Sequence, residues 1–368
     1  MAPASVALIA RTGGPHTGAY VSTLPLMERV GRVHLCDLEG QAFGVAGGAA
    51  AAPAAKRQAY GDRLAGTSAD VASCLAAGPY ALVVVSLDNR EAPGVIRQVL
   101  EAGCNVFSEK LGARTAAEWE PILALAERRG LHLGMAYLNR TRPSVVEARR
   151  LVAMGALGKL YGFYVQSVAT QAQLRDPMRS WTFDPERAGG GYLAWLGCHY
   201  LDLLRYVTGR EVASISAAAG RVGYEGLRVE DAVALAMTLD DGAVGSASFG
   251  YYLDAEPRFG GKQSQLLLWG ELGWVRLQPG EDDAVPLEYY SRHPAFAAAP
   301  HRTVSFDHRQ VPGAYGSAWG LEFMNQFLAA CLGEGEPPVA GRDALAVLRI
   351  IDAAYASVRG RAIVEVER

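Results

Sequence analysis

The chain has 368 residues, enough for two domains at roughly 100–200 residues each, and its 50% apolar and 20% charged content is that of a protein with a buried core. With 35 Lys and Arg against 38 Asp and Glu the net charge is −3, which offers neither nucleic acid nor an anionic membrane the clustered cations they need. No apolar run approaches the roughly 20 residues that span a bilayer.

The opening Met1-Ala2-Pro3-Ala4-Ser5 has no basic patch ahead of an apolar stretch and reads as the start of the fold, not as a signal peptide. The five cysteines (Cys36, Cys74, Cys104, Cys198 and Cys331) are scattered and include no CxxC pair. They suggest neither a zinc site nor a disulfide framework, so no metal is expected and a reducing cytoplasm is.

In chain order, Val6 to Ala10 reads as a buried strand, followed by a Gly-rich turn and a helical stretch through Met27. Val33 to Cys36 is a second strand ending at Asp37. Low-complexity sequence at Ala46–Ala55, broken by Pro53, reads as a loose helix or a loop without function. Ala81 to Val85 is a β-branched run of the kind that parallel sheets bury on both faces. Helix (Ala92 to Ala102), strand (Asn105 to Phe107), helix (Thr115 to Arg129) and strand (Leu131 to Ala136) follow, with Thr115 and Glu118 spaced as a capping box. This alternation predicts right-handed βαβ units.

From about Tyr161 the pattern changes. Tyr161 to Val168, Val212 to Ala219 and Val233 to Leu239 read as strands, and turns at Asp240-Asp241-Gly242 and Gly270 to Gly273 join further ones. Hairpins imply antiparallel pairing, and a sheet with one open face is a common meeting place for subunits. Phe249, Tyr251 and Trp269 are expected on that face. Gly320 to Arg359 is helical with a break near 333–338. The expected class is α/β: a doubly wound parallel Rossmann domain over 1–136, and an α+β domain over 137–368 with a large open-faced, mainly antiparallel sheet. The C-terminal helices are free to pack back on the first domain.

The turn after the first strand, Ala10-Arg11-Thr12-Gly13-Gly14-Pro15-His16-Thr17-Gly18, has the glycines that let backbone approach a diphosphate, without GxGxxG spacing. Asp37, a carboxylate closing the second strand, is the usual partner of an NAD ribose diol and repels a 2′-phosphate; a helix N-cap would read the same. Ala10, Thr12, Gly13, Gly14 and Asp37 are therefore candidate cofactor residues. On the helix beginning near Leu193, an apolar stripe (Leu193, Leu196, Tyr200, Leu203, Leu204, Val207) leaves Trp195, His199 and Asp202 on another face, which could line a cleft or pack under a loop.

Two longer stretches resemble a known family. Leu100-Glu101-Ala102-Gly103-Cys104-Asn105-Val106-Phe107-Ser108-Glu109-Lys110 is similar to the LEAGKHVxxEKP signature of the Gfo/Idh/MocA family (glucose-fructose oxidoreductase, inositol dehydrogenase, rhizopine catabolism). Trp181 to Pro185, Gly189-Gly190-Gly191 and Gly197 to Asp202 resemble its tryptophan, triple-glycine and GxH stretch, and Pro338 to Val366 its closing helix and strand. The resemblance implies a two-domain dehydrogenase with the nicotinamide between its domains, NAD as cofactor (NADP less favoured) and a sugar or polyol substrate. The open sheet face, too large an apolar patch to leave exposed, separately predicts a homodimer or homotetramer. By the resemblance, Lys110 would sit beside the reacting carbon and His199 would relay the hydroxyl proton. Ser86, Leu87, Glu109 and Trp181 join the cofactor set, and Trp195, Asp202, Tyr137 and Arg140 the substrate pocket. The chemistry agrees: histidine suits proton removal near neutrality, and an ammonium stabilises an alkoxide.

Four departures stand out. The glycine spacing is disturbed; the proline after Glu-Lys is Leu111; the usual TPNxxH reads Ser86-Leu87-Asp88-Asn89-Arg90-Glu91; and the carboxylate four residues before the histidine is Trp195. Trp195 could stack on a sugar. A redox-neutral enzyme that keeps its NAD (a sugar epimerase or glycoside-cleaving enzyme) and a non-catalytic cofactor-binding sensor stay open as alternatives to the dehydrogenase.

Overall fold

The computed structural model describes residues 3–39, 60–174, 180–224, 226–252, 261–279 and 286–367. The expected loop at Ala46–Ala55 lies outside them. The chain divides into two compact units, one formed by Met1–Leu138 with Arg309–Leu345, the other by Asn139–His308 with Ala346–Arg368.

The first unit is built on six strands: β1 (Ala4–Ala10), β2 (Val30–Asp37), β3 (Leu64–Ser68), β4 (Leu82–Ser86), β5 (Val106–Ser108) and β6 (Leu133–Met135). They form one sheet in the order β3-β2-β1-β4-β5-β6, all parallel. This is the Rossmann order, in which ligands bind beyond the carboxyl ends of the strands where the order reverses. Helices α1 (Thr17–Thr23), α2 (Val71–Ala76), α3 (Ala92–Glu101) and α4 (Ala116–Arg129) connect them. The helical stretch expected through Met27 stops earlier, as Pro25 opens a short 3-10 turn at Leu24–Leu26. Thr115 caps α4 as expected, accepting from the Glu118 amide at 3.3 Å, and Gly130 ends it with φ +64°.

The second unit contains α5 (Pro143–Ala153), β7 (Leu160–Ala169), α6 (Cys198–Thr208), β8 (Val212–Gly220), β9 (Ala232–Leu239), β10 (Val244–Gly250), β11 (Lys262–Gly270), β12 (Gly273–Leu277), β13 (Leu287–Ser291) and β14 (His301–Val304). The chain closes with α7 (Ser317–Cys331), α8 (Gly341–Gly360) and β15 (Val364–Glu365). Helix α7 belongs to the first unit: Phe327 packs where a Cβ at Gly134 would lie 2.0 Å away, and its ring stands 5.2 Å from that of Phe107. The nine-stranded sheet runs β14-β13-β12-β11-β7-β10-β9-β8-β15, antiparallel except for β7 with β10.

One expectation about this sheet is corrected. Phe249 and Tyr251 are buried, at 0% and 1% exposure, while Trp269 is 42% exposed. Strand parity explains it. Phe249 sits opposite Ser167, which pairs with Ser264, so it shares a face with the buried Leu266 and Leu268. Trp269 is out of step with them and pairs with Gly162 on the face that also carries Val244. Phe249 instead stacks against Tyr192, centroids 6.3 Å apart, under α6. Among the described residues no helix is long and apolar enough to cross a membrane.

Candidate functional site

In the first unit the expected cofactor residues converge. Ala10, the last residue of β1, is in register with both Asp37 on β2 and Ser86 on β4. The glycine turn is tied down to β4. Thr17 and Ser86 hydroxyls lie 2.8 Å apart, and the Ser86 hydroxyl donates to the Pro15 carbonyl at 2.7 Å. Gly14 is dictated by space, since a Cβ there would stand 2.4 Å from the Ser86 carbonyl oxygen. Gly13 has φ +74°, and a Cβ at this position would meet nothing within 4 Å, so its backbone faces open space next to the turn. Thr12 and Gly13 are exposed, Asp37 is 9% exposed, and Ser86 and Leu87 are buried. An open, glycine-edged turn beside a carboxylate at the end of β2 fits a dinucleotide's diphosphate and ribose diol.

Glu109 and Lys110 follow β5, with the Glu109 amide bonded to the Val85 carbonyl at 2.9 Å. Both side chains are buried. Glu109 accepts from the Tyr20 hydroxyl at 2.5 Å and the Lys110 amide at 3.0 Å, and lies 3.1 Å from His16 Nδ1. Burial pushes its carboxyl up, but His16, Lys110 and Tyr20 together outweigh burial and hold it below its ordinary value. Desolvation, followed by the charge of Glu109, drives the Tyr20 hydroxyl well above its usual range. His16 adopts φ 56° and stacks on Tyr315 at 4.8 Å. The Lys110–Leu111 peptide is cis, and the Leu111 amide donates to Asn89 Oδ1 at 3.0 Å. His16, Tyr20, Asn89 and Tyr315 were not among the residues expected from sequence. Nothing in their spacing distinguishes them, because the contacts join segments up to hundreds of residues apart.

In the second unit His199, half-buried, lies in the first turn of α6, after a π-helical turn at Leu193–Gly197 that carries Trp195. Such turns are frequent at functional sites. Trp195 is 5% exposed; its indole N–H donates to Gln171 Oε1 at 2.8 Å, and it meets Trp181 edge-to-face at 5.3 Å. Trp181, expected near the cofactor, thus lies beside Trp195. Arg140 and Asp202 form a buried, two-bond ion pair, with Nε to Oδ2 at 2.9 Å, and the guanidinium lies 4.8 Å from the Tyr206 ring centre. Tyr137, in the first unit, is fully buried just beyond β6.

The glycines before the π turn have separate reasons. Gly189 takes φ +80°, a Cβ at Gly190 would meet the Tyr355 hydroxyl at 2.0 Å, and one at Gly191 would meet the Glu230 carbonyl at 2.1 Å. Glu230, also absent from the sequence expectations, accepts from the Gly191 amide at 2.8 Å, the Leu193 amide at 3.1 Å and the Tyr355 hydroxyl at 2.8 Å. Burial raises its carboxyl above the ordinary value despite these bonds. Glu230 therefore holds the start of the segment that delivers Trp195 and His199. Among the described residues no cluster of His, Cys, Asp and Glu could hold a metal ion.

These features define a two-unit α/β protein with a Rossmann sheet and a large mixed sheet. Residues 145–276 match the model of the GFO/IDH/MocA C-terminal domain. D-Apiose dehydrogenase of Paraburkholderia graminis is 26% identical over 347 residues, covering 91% of this chain and 83% of that protein. In fold, an oxidoreductase domain protein from Kribbella flavida superposes with a TM-score of 0.82 at 22% identity, each chain wholly covered. Levoglucosan dehydrogenase, solved with NADH and levoglucosan, does so with a TM-score of 0.80 at 20% identity, again over the whole of both chains. Residues 145–276 are thus matched to the Gfo/Idh/MocA C-terminal domain, and over most of its length the chain is similar to a sugar dehydrogenase.

Proposed function

We propose that this chain is an NAD(H)-dependent oxidoreductase that moves a hydride between nicotinamide and a secondary alcohol or ketone of a sugar, cyclic polyol or sugar derivative. The observation that carries the reading is the buried Glu109-Lys110 pair at the carboxyl end of β5, in a Rossmann sheet whose β2 ends on Asp37. The similarity to D-apiose dehydrogenase over most of the chain supports a sugar substrate.

NAD, when bound, supplies the hydride acceptor. The turn at Thr12–Gly14 and the ends of β2 and β4 would hold it, with Asp37 the partner for its ribose diol and Ser86 and Leu87 beside it. Glu109 orients Lys110 through the bond from its amide. His199 would take the hydroxyl proton, and the Lys110 ammonium would stabilise the negative charge that builds on that oxygen before the C–H hydride departs and the C–O bond becomes a carbonyl. Trp181 and Trp195 form the aromatic wall of the sugar site, Trp195 standing where the family places a carboxylate. Arg140 and Asp202 in the second unit, and Tyr137 in the first, are further candidates for substrate contact. The chain works in the cytoplasm, in keeping with five free cysteines. It assembles as a homodimer or homotetramer through the open sheet face bearing Trp269 and Val244, exposed by 42% and 61%.

The test is the change in nicotinamide absorbance with a panel of pentoses, hexoses, anhydrosugars and inositols. Turnover of at least one supports the proposal. NAD bound without turnover of any would instead support a sensor, and tightly retained NAD with sugar interconversion a redox-neutral enzyme.

A further inference from the structure

The carboxyl ends of β1, β2 and β4 carry a charge cluster that the reading above does not use. Arg11 follows β1. Its Nε donates to Glu91 Oε2 at 2.8 Å and its Nη1 to Glu39 Oε1 at 2.5 Å. Glu39 lies two residues past Asp37, which accepts the Glu39 amide at 3.3 Å, and Glu91 lies in the turn between β4 and α3. The guanidinium is thus held between carboxylates from two strand ends, on either side of the β1 turn.

An arginine at the end of β1 is chemically suited to a phosphate monoester, because its planar fork presents paired donors to phosphate oxygens. Here both Nε and Nη1 already serve carboxylates. With Asp37 counted, three carboxylates surround this turn against one guanidinium, so an added phosphate would meet an excess of negative charge. The three partners of the clamp keep 30–40% of their side-chain surface exposed, where such ion pairs contribute little to folding. The cluster costs the protein little to lose and is placed where a nucleotide's ribose would lie.

We propose that Glu39 and Glu91 are specificity-determining residues: by clamping Arg11 they withhold it from a ribose 2′-phosphate, so that preference for NAD over NADP does not depend on Asp37 alone. This rests on the dinucleotide reading above. Without the two glutamate charges, Arg11 becomes a phosphate ligand.

The experiment measures dissociation constants of NADH and NADPH for the full chain by nucleotide fluorescence, with no substrate present. The native protein is expected to bind NADH more tightly. Glu39→Gln/Glu91→Gln should tighten NADPH by about tenfold or more, the equivalent of about 1.4 kcal/mol, and leave NADH within about threefold. Adding Arg11→Met should erase the gain. Unchanged NADPH affinity in the double variant that still binds NADH, or a gain that survives Arg11→Met, overturns the clamp alone. Binding of neither nucleotide by the native protein overturns the dinucleotide reading and the clamp with it.

Discussion

Replacing Arg140 by Met leaves the carboxylate of Asp202, 1% exposed, in the interior without its guanidinium partner. The native pair makes two hydrogen bonds, and the guanidinium also lies over the Tyr206 ring. Removing one member of a buried pair costs about 3–5 kcal/mol, because the surviving charge remains desolvated. Removing both costs far less: Arg140→Met/Asp202→Asn should lose only about 0–2 kcal/mol, as the apolar replacement no longer opposes a buried charge. The double-mutant cycle should then show clear non-additivity. Urea unfolding followed by tryptophan fluorescence suits the question, since Trp181, Trp195, Trp269 and Trp274 all report on the second unit. A cost below about 1 kcal/mol for Arg140→Met, or a double variant no more stable than that single one, would refute an uncompensated buried charge at Asp202.

Lys110→Met and His199→Ala should each lower kcat by about two to four orders of magnitude while NADH affinity is largely kept; near-native turnover in both would remove them from the chemistry. Glu109→Gln should cost about 1.5–3 kcal/mol at neutral pH through its weakened charge-assisted bonds. Because the folded carboxyl titrates below its unfolded value, the native protein's advantage over this variant is present above the ordinary carboxylate range and shrinks as pH falls through the folded value; an advantage that grows on acidification contradicts the assignment. Trp269→Glu with Val244→Glu should convert the oligomer to monomer in light scattering, and a native protein already monomeric at micromolar concentration would rule out the open sheet face as its contact.

Much of the parallel sheet is legible in the sequence because its central strands are continuous apolar runs; β1 and β4 are almost wholly buried and flanked by turn residues. Edge strands are harder to see. β3, Leu-Ala-Gly-Thr-Ser, alternates only between half-buried and exposed positions and has one large apolar residue. β13 and β14 lie at the other sheet's margin, and β14 is exposed throughout three of its four residues. Phe249 shows a different failure. Alternation reveals that a strand has two faces but not which of them is covered; that is set by partners such as Ser167, which lies far away in the chain. In the site, Lys110 and His199 are legible through motif resemblance, whereas Glu230 is not. Its role depends on accepting amides from a helix start some 40 residues earlier.

The departures from the family pattern are not independent. Leu111 stands where the family has proline, and its amide, which proline lacks, donates to Asn89. Asn89 itself lies in the turn whose sequence departs from TPNxxH. In that turn Asp88 accepts the Arg90 and Glu91 amides, each at 3.0 Å, and so presents Glu91, which replaces the family histidine, to Arg11. Arg11 in turn sits in the glycine turn whose spacing is disturbed. Three departures scattered over 100 residues of sequence are therefore joined at the carboxyl edge of one sheet, each supplying a partner that another requires. The fourth, Trp195, is likewise matched locally: Gln171 takes its indole N–H and Trp181 its ring. Random loss of a cofactor site would leave orphaned polar groups at these positions. Mutual satisfaction is what the proposed function expects of a pocket rebuilt around a different set of contacts.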